Sequence, residues 1–471
     1  MNYSPTHKQH NNSGNLGRFI ALATERYHKS RIRRFGWLAL LLLVAIEPPK
    51  AEAEMPNILF LLADDLGWRD LGCYNTTFYE SPTLDQLAKE GMRFTHAYTA
   101  GTVCSPTRAS IITGQTPARH GCTNWGGSIK PENHIGMARA LRNGGYHTFF
   151  TGKWHIGTMT PELAGFSTVQ EISPRDGSDE DPKSTRQITS NTLAFLKKQR
   201  LNHPFFAYVN YHAVHLPLKE SPQVVSKYRR KLMTNPPQAV GPTGLEKEHQ
   251  RSNKQLQDNP QYAAMVEAVD DSVSQILATL KTQGFENNTL VIFSSDNGGL
   301  STKPCTSNLP LRAGKGWAYE GGIRVPLIVR WPEHITANTT TDTPVTSMDF
   351  YPTLLTIAGL PLLPKQHLDG VSIAKLLNSN EPLARDTLYW HYPHYHGAGC
   401  SPVGALREGD LKLIHWFGAD RYELYDLNDD PSELKDLSTS RIQDLSRLTG
   451  KLKRWQALFP KIKYNETNPF R

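Results

Sequence analysis

Asn57-Ile-Leu-Phe-Leu-Leu62, running on into Ala63-Asp64-Asp65-Leu66-Gly67, decides the fold class of this 471-residue chain. An unbroken apolar run has no polar face, so it reads as a strand buried on both sides, and it stops at two carboxylates. Helical patterns and further short apolar runs alternate after it. Ser81-Pro82 opens a helix that reaches Glu90 and closes at Gly91, and Ile135–Asn143 reads as a helix ahead of the strand Thr148–Phe150. A helix over Gln187–Lys198 leads to the run Pro204–Asn210, and a longer one over Tyr262–Thr282 leads to Thr289–Phe293. Strands alternating with helices predict an α/β fold built on a large, mostly parallel sheet flanked by helices. Past about residue 380 the texture changes. Leu411–Trp416 and Tyr422–Leu427 read as strands of a hairpin or meander, and a final helix covers Ser440–Leu458. The expected organisation is a leader over residues 1–53, an α/β domain over 54–380 and a small α+β subdomain over 381–471. Ser173–Thr185 and Lys219–Gln257 lack periodicity.

The leader carries Arg31, Arg33 and Arg34 ahead of the apolar run Trp37–Ile46, with a small-x-small cleavage site at Ala51-Glu52-Ala53. That run falls short of the roughly 20 apolar residues a membrane-spanning helix needs. Export with cleavage is therefore expected, to the periplasm or outside the cell, rather than an uncleaved anchor, and no stable membrane span is expected. The leader also explains the charge. The chain has 52 basic and 44 acidic residues, of which the leader holds eight and three, so the remainder is close to balanced at +3. Such a balance excludes a nucleic-acid-binding surface as the main theme. Of five cysteines (Cys73, Cys104, Cys122, Cys305 and Cys400), an odd count leaves at least one outside any disulfide, and none has zinc-site spacing.

Four of the apolar runs stop at concentrated polar chemistry, and in open α/β sheets ligands sit beyond the carboxyl ends of the strands. The first supplies Asp64 and Asp65. Lys153 and His155 follow the second in Thr151-Gly-Lys-Trp-His-Ile-Gly157, and His212 and His215 follow the third. Asp296 and Asn297 follow the fourth in Ser295-Asp-Asn-Gly-Gly299, and Gly314-Lys315-Gly316 adds a further cation. Asp64, Asp65, Asp296 and Asn297 offer hard oxygen donors that suit Ca²⁺, with Mg²⁺ second, over Zn²⁺. Arg108, Lys153 and Lys315 provide fixed positive charge for an oxyanion, and His155 and His215 can pass protons near neutral pH. Together they describe metal-assisted hydrolysis of an anionic ester.

Cys104-Ser-Pro-Thr-Arg108 sharpens this. Ser105 can cap a helix, Pro106 suits its first turn, and Gly114 can end it after Ala109, Ile111 and Ile112. Residue 104 then lies where backbone N–H groups favour negative charge, so a thiol there is expected to have a lowered pKa.

The stretch from Cys104 to Gly114 resembles the signature of type I sulfatases. The likeness extends from about Pro56 to the C-terminus through Asp64-Asp65-Leu-Gly67, Gly145-Tyr-His-Thr148, Gly152-Lys-Trp-His155, Tyr262-Ala-Ala-Met-Val-Glu-Ala-Val-Asp270 and Glu423-Leu-Tyr-Asp426 with Asp430-Pro431. It implies an alkaline-phosphatase-like fold with a small C-terminal sheet-and-helix subdomain. It implies that a formylglycine-generating enzyme oxidises Cys104 to formylglycine, whose aldehyde hydrate attacks sulfate esters. Carried to matching positions, Ca²⁺ is held by Asp64, Asp65, Asp296 and Asn297, with residue 104 as a further ligand. Arg108 stabilises the hydrate, Lys153 and Lys315 grip the sulfate, and His215 with Lys315 helps the alcohol leave. His155 takes a proton from the second hydroxyl and so expels sulfate. The expected substrate is a sulfated small molecule or an O-sulfated glycan. Competing readings are a phosphoester or phosphonate monoester hydrolase of the same superfamily, and a non-catalytic glycan-binding protein should Cys104 stay unconverted.

Two regions bear on substrate choice. Lys219–Leu256 carries eight basic residues against three acidic and begins just after His215, so as a loop beside the pocket it could steer a polyanion. His391-Tyr-Pro-His394-Tyr-His396 is expected in a loop of the small subdomain, with no carboxylate or cysteine to complete a zinc site.

Overall fold

The computed structural model describes residues 55–173, 176–302, 305–459, 464 and 466–470, so the expected leader lies outside the described residues. The large sheet takes β1 (Asn57–Ala63), β2 (Met92–Tyr98), β3 (His147–Gly152), β4 (Thr168–Glu171) and β5 (Phe205–Asn210). A two-stranded excursion follows, β6 (Lys247–Glu248) with β7 (Arg251–Ser252). The large sheet then resumes with β8 (Thr289–Ser295), β9 (Arg324–Arg330), β10 (Thr339–Thr341) and the short β11 (Val345–Thr346). Its order is β10-β2-β9-β8-β1-β5-β3-β4, with β11 also on β2. All pairings are parallel except the two made by β9. The expected mostly parallel sheet is thus present, with one reversed strand inside it.

Alternation along the central strands feeds two cores. Leu59, Leu61 and Ala63 of β1 join Ala207, Val209, Val291 and Phe293 on one face, under the long helix Pro260–Thr282. Ile58, Phe60 and Leu62 join Phe206, Tyr208, Leu290 and Ile292 on the other, against the helices Cys104–Thr113 and Phe350–Ile357. Both faces being covered explains why β1 reads as a continuous apolar run.

The predicted elements recur with shifted ends: helices at Pro82–Glu90, Met137–Asn143, Thr185–Leu196 and Pro260–Thr282, and a closing helix at Ile442–Gln456. Ser105 does not cap its helix. The helix begins at Cys104 after Val103, and Ser105 Oγ instead accepts from the Gly126 N–H at 2.9 Å. Gly114 does close it, at φ 66° with its N–H bonded to Ser110 O. Within Lys219–Gln257, read as aperiodic, Pro222–Thr234 forms a helix that buries only Val225 and Tyr228.

A second sheet, antiparallel and in sequential order, contains β12 (Thr387–Tyr392), β13 (Val403–Glu408), β14 (Leu411–Trp416) and β15 (Arg421–Asp426). Leu448 and Leu452 of the closing helix pack on Leu406, Leu413 and Leu424. A fully buried charge cluster fastens this sheet to the large one. Lys412 Nζ of β14 lies 2.9 Å from Glu320 Oε1, on the short helix before β9, and 2.8 Å from Glu433 Oε1. Among the described residues no helix is long and apolar enough to cross a membrane.

Candidate active site

Because only β9 runs backwards, the carboxyl ends of β1, β2, β3, β5 and β8 share one edge, and the predicted residues gather there. Asp64 and Asp65 leave β1, the Cys104 helix follows β2, Lys153 leaves β3, and His212 and His215 leave β5. Asp296 and Asn297 leave β8, and Lys315 arrives from the loop before β9. Gly152, at φ 95°, delivers Lys153: a Cβ there would sit 1.7 Å from Asn210 O, so no other residue fits. Asp65 and His155 both take φ of 63°, a left-handed backbone that non-glycine residues hold only when their surroundings enforce it.

Three carboxylates and three cations interlock. Lys153 Nζ donates to Asp64 Oδ2 at 2.5 Å, and Lys315 Nζ lies 2.6 Å from Asp65 Oδ1. Arg108 Nε donates to Asp296 Oδ2 at 2.8 Å and its Nη1 to Lys153 O at 2.7 Å, while its buried Nη2 has no acceptor. Burial alone would raise the carboxyls of Asp64 and Asp65. The neighbouring cations, Lys153 first for Asp64 and Lys315 first for Asp65, outweigh it and hold both below the usual range. Asp296 goes the other way, raised by burial and by the charge of Asp64.

Cys104 sits at the centre, 1% exposed. Its Sγ lies 3.5 Å from Asp64 Oδ1, 3.9 Å from Asp65 Oδ1 and 3.3 Å from Lys315 Nζ. The expectation of a lowered thiol pKa is overturned. Burial, reinforced by the charges of Asp296 and Asp64, pushes the thiol up despite Lys153 and Lys315. The helix terminus is outweighed by desolvation and the adjacent carboxylates, which disfavour the thiolate.

Ligand atoms of Asp64, Asp65, Cys104 and Asp296 all lie within 4.8 Å of one another. Beside them, the buried Asn297 Oδ1 has no donor, while its Nδ2 donates to Asp65 Oδ1 at 2.7 Å. An orphaned amide oxygen among three carboxylates fits a hard divalent cation.

Asp64 and Cys104 open onto a cavity of about 810 Å³ that Lys153, His155, His215 and Lys315 also line. His155 is pushed down to about 3 by burial and by Lys153 and Arg108, so it is neutral, and its buried Nδ1 has no partner. His215 is half-buried, with Nε2 3.8 Å from Asp65 Oδ2 and Nδ1 on Leu216 O. His212 also lines the cavity, with its Nε2 bonded to Ile172 O.

The histidine stretch divides. His391 lies in β12 and not in a loop, buried beside Phe417, and His394 Nε2 bonds Thr123 Oγ1. His396 reaches the cavity, against Gly316, where a Cβ would come within 2.1 Å of its ring. Of the eight cations in Lys219–Leu256, Lys219 lines the cavity, whereas Lys227, Lys231 and Lys254 are paired with Glu80, Glu267 and Asp258. Trp125 and Lys183 were not foreseen. Both line the cavity from stretches with no periodic signal.

The sulfatase family profile matches residues 56–360, and that of the N-sulphoglucosamine sulphohydrolase C-terminal region matches residues 313–457. A sulfatase of Formosa agariphila is 30% identical, over 92% of this chain and 94% of its own length. Human N-acetylgalactosamine-6-sulfatase is 29% identical over 72% and 68%. Among solved structures, i-CgsB in complex with k-i-k-neocarrahexaose superposes with a TM-score of 0.73 at 26% identity, covering 88% of this chain and 95% of that one. With the profile spanning most of the chain and the alkaline-phosphatase-like sheet carrying the expected residues at one edge, this protein belongs to the sulfatase family and is a sulfuric ester hydrolase.

Proposed function

We propose that the enzyme releases inorganic sulfate from O-sulfated glycans, using formylglycine made from Cys104 and a Ca²⁺ ion held by Asp64, Asp65, Asp296 and Asn297. The observation that carries this reading is the setting of Cys104. Burial pushes its thiol up, yet it faces a cavity that Lys153 and Lys315 also line. A sulfur held that way is unsuited to attack on its own account, while an oxidised residue 104 would supply an oxygen nucleophile beside a polarising metal ion. Within that frame Lys153 and Lys315 bind and orient the sulfate oxygens, and Arg108 Nη2 offers an unused donor to residue 104. His215, at the cavity wall, gives a proton to the departing alcohol. His155 starts neutral with a free ring nitrogen and can accept one. The glycan assignment draws on the hexaose bound by i-CgsB and on the amino-sugar sulfatase among the relatives. Export is proposed with it, from the basic and apolar pattern of the leader.

Mass spectrometry of the peptide spanning Gly101–Arg119, paired with sulfate release from a panel of sulfated glycans, tests the reading. Formylglycine at position 104, and loss of release in Cys104→Ala, are expected. Full activity from protein carrying only unmodified cysteine would overturn it. So would a kcat/KM for an aryl phosphate above that for the matching aryl sulfate.

A further inference from the structure

Lys183 lines the same cavity as Cys104, and Lys219 lines it too, from an exposed position. Lys183 is 7% exposed, yet among the described residues its ammonium makes no hydrogen bond and no ion pair. That separates it from Lys153 and Lys315, each clamped to a carboxylate. Glu171 and Asp179 also line the cavity, and neither pairs with it. Lysines this far buried are ordinarily paired. Burial pushes Lys183 down to about 8, with Asp64 and Asp65 opposing and Lys153 and Lys219 adding to the fall, so it is still mainly cationic at neutral pH. Its backbone is fixed just ahead of the helix Thr185–Leu196 by Ser184 N on Asp181 O at 2.9 Å and Gln187 N on Asp181 Oδ2 at 3.0 Å. An unpaired cation on a fixed backbone, beside a cavity far larger than one sulfate, marks a place for a second negative group.

We propose that Lys183 receives a second anionic group of the substrate, a carboxylate or a further sulfate on the part that leaves as the alcohol, with Lys219 adding attraction at the cavity wall. This rests on the sulfate-ester reading of the cavity and narrows its substrates to compounds with at least two anionic groups. The reacting sulfate takes the cations around Cys104, and Lys183 takes its neighbour. A charge-assisted bond of this kind is strong enough to discriminate between mono- and dianionic substrates.

Calorimetric titration of the purified protein with a series of α,ω-alkanedisulfonates of increasing length, against the matched monosulfonates, tests this without turnover. One length is expected to bind about tenfold or more tightly than its monosulfonate. Lys183→Gln should erase that gain and Lys183→Arg should keep it. The proposal is overturned if no length in the wild-type series gains, a result that needs no variant to fold, or if the gain survives Lys183→Gln. The sulfatase mechanism fails separately, through absence of sulfate release from protein carrying formylglycine.

Discussion

Replacing Lys412 by Met is the sharpest test of how the two sheets are held together. Lys412 Nζ bonds both Glu320 and Glu433, and all three side chains are inaccessible to solvent. Glu320 also accepts from Tyr98 OH at 2.7 Å, and Glu433 Oε2 from the Glu320 N–H at 2.7 Å, so neither carboxylate can swing out to water. Burial alone would raise Glu320, but Lys412, Arg324 and Arg407 hold it well below its usual range. Burial keeps Glu433 above the usual range, with Lys412 opposing and Glu320 adding. Removing one member of a buried ionic group costs about 3–5 kcal/mol, because uncompensated charge is left behind. An unfolding entropy of about 2.1 cal/mol/K per residue over the roughly 415 residues after the leader gives about 0.9 kcal/mol/K. The expected fall in Tm at pH 7.5 is therefore about 3–6 °C. The sign with pH follows from Glu320. Its lowered pKa contributes stability above the unfolded value of about 4.5, lost as pH falls towards the folded value. Wild-type Glu320 is still ionised at pH 4.5, so the gap between variant and wild type should narrow as pH falls below 4.5 towards about 2. Scanning calorimetry of Lys412→Met, alone and with Glu433→Gln, measures this. A drop below about 1 °C, a gap that widens in acid, or no recovery on adding Glu433→Gln would refute the reasoning.

Asp296→Asn should lower kcat/KM on the order of 10²-fold while leaving Tm unchanged or higher, because burial and Asp64 already disfavour its charge; chelation should likewise remove activity, and turnover that survives both would exclude the metal role. His215→Ala should slow sugar or alkyl sulfates more than nitrophenyl sulfate, since poor leaving groups need the proton most; equal losses in steady-state kinetics would take His215 out of that role.

The parallel strands and the polar groups at their ends were legible because the chemistry is local. A strand covered on both faces is apolar throughout, as β1 is, and its last residue is followed directly by the functional ones. β9 was not legible, and the reason is Pro326. A proline argues against a central strand, yet here β2 bulges opposite it: Phe94 pairs Leu327 and Ala97 pairs Val325, leaving Thr95 and His96 to face the residue that cannot donate. That accommodation is written 230 residues upstream of the proline, on roughly the scale no local pattern can reach. Lys183 and Trp125 were missed for a related reason. Each sits in a loop whose path is set by tertiary contacts, such as the Gly126 N–H on Ser105 Oγ, rather than by periodicity. The thiol of Cys104 misled because a helix terminus can be read from sequence, whereas the carboxylates of Asp64 and Asp296 that oppose it follow β1 and β8.

On the formylglycine reading proposed above, the burial of the Cys104 helix would set an order of events during biosynthesis. All ten residues from Cys104 to Thr113 are buried in the finished fold, so an enzyme that must grip the segment around the cysteine would find only what the cavity leaves open. Part of its enclosure arrives late, because the helix Phe350–Ile357 that packs on it comes far later in the chain. While the chain between those two helices is still being made, the segment would stay open to modification. A chain that folded before that window was used would trap an unmodified cysteine, and its population of inactive molecules would then be fixed by a race between folding and oxidation rather than by any equilibrium of the mature protein.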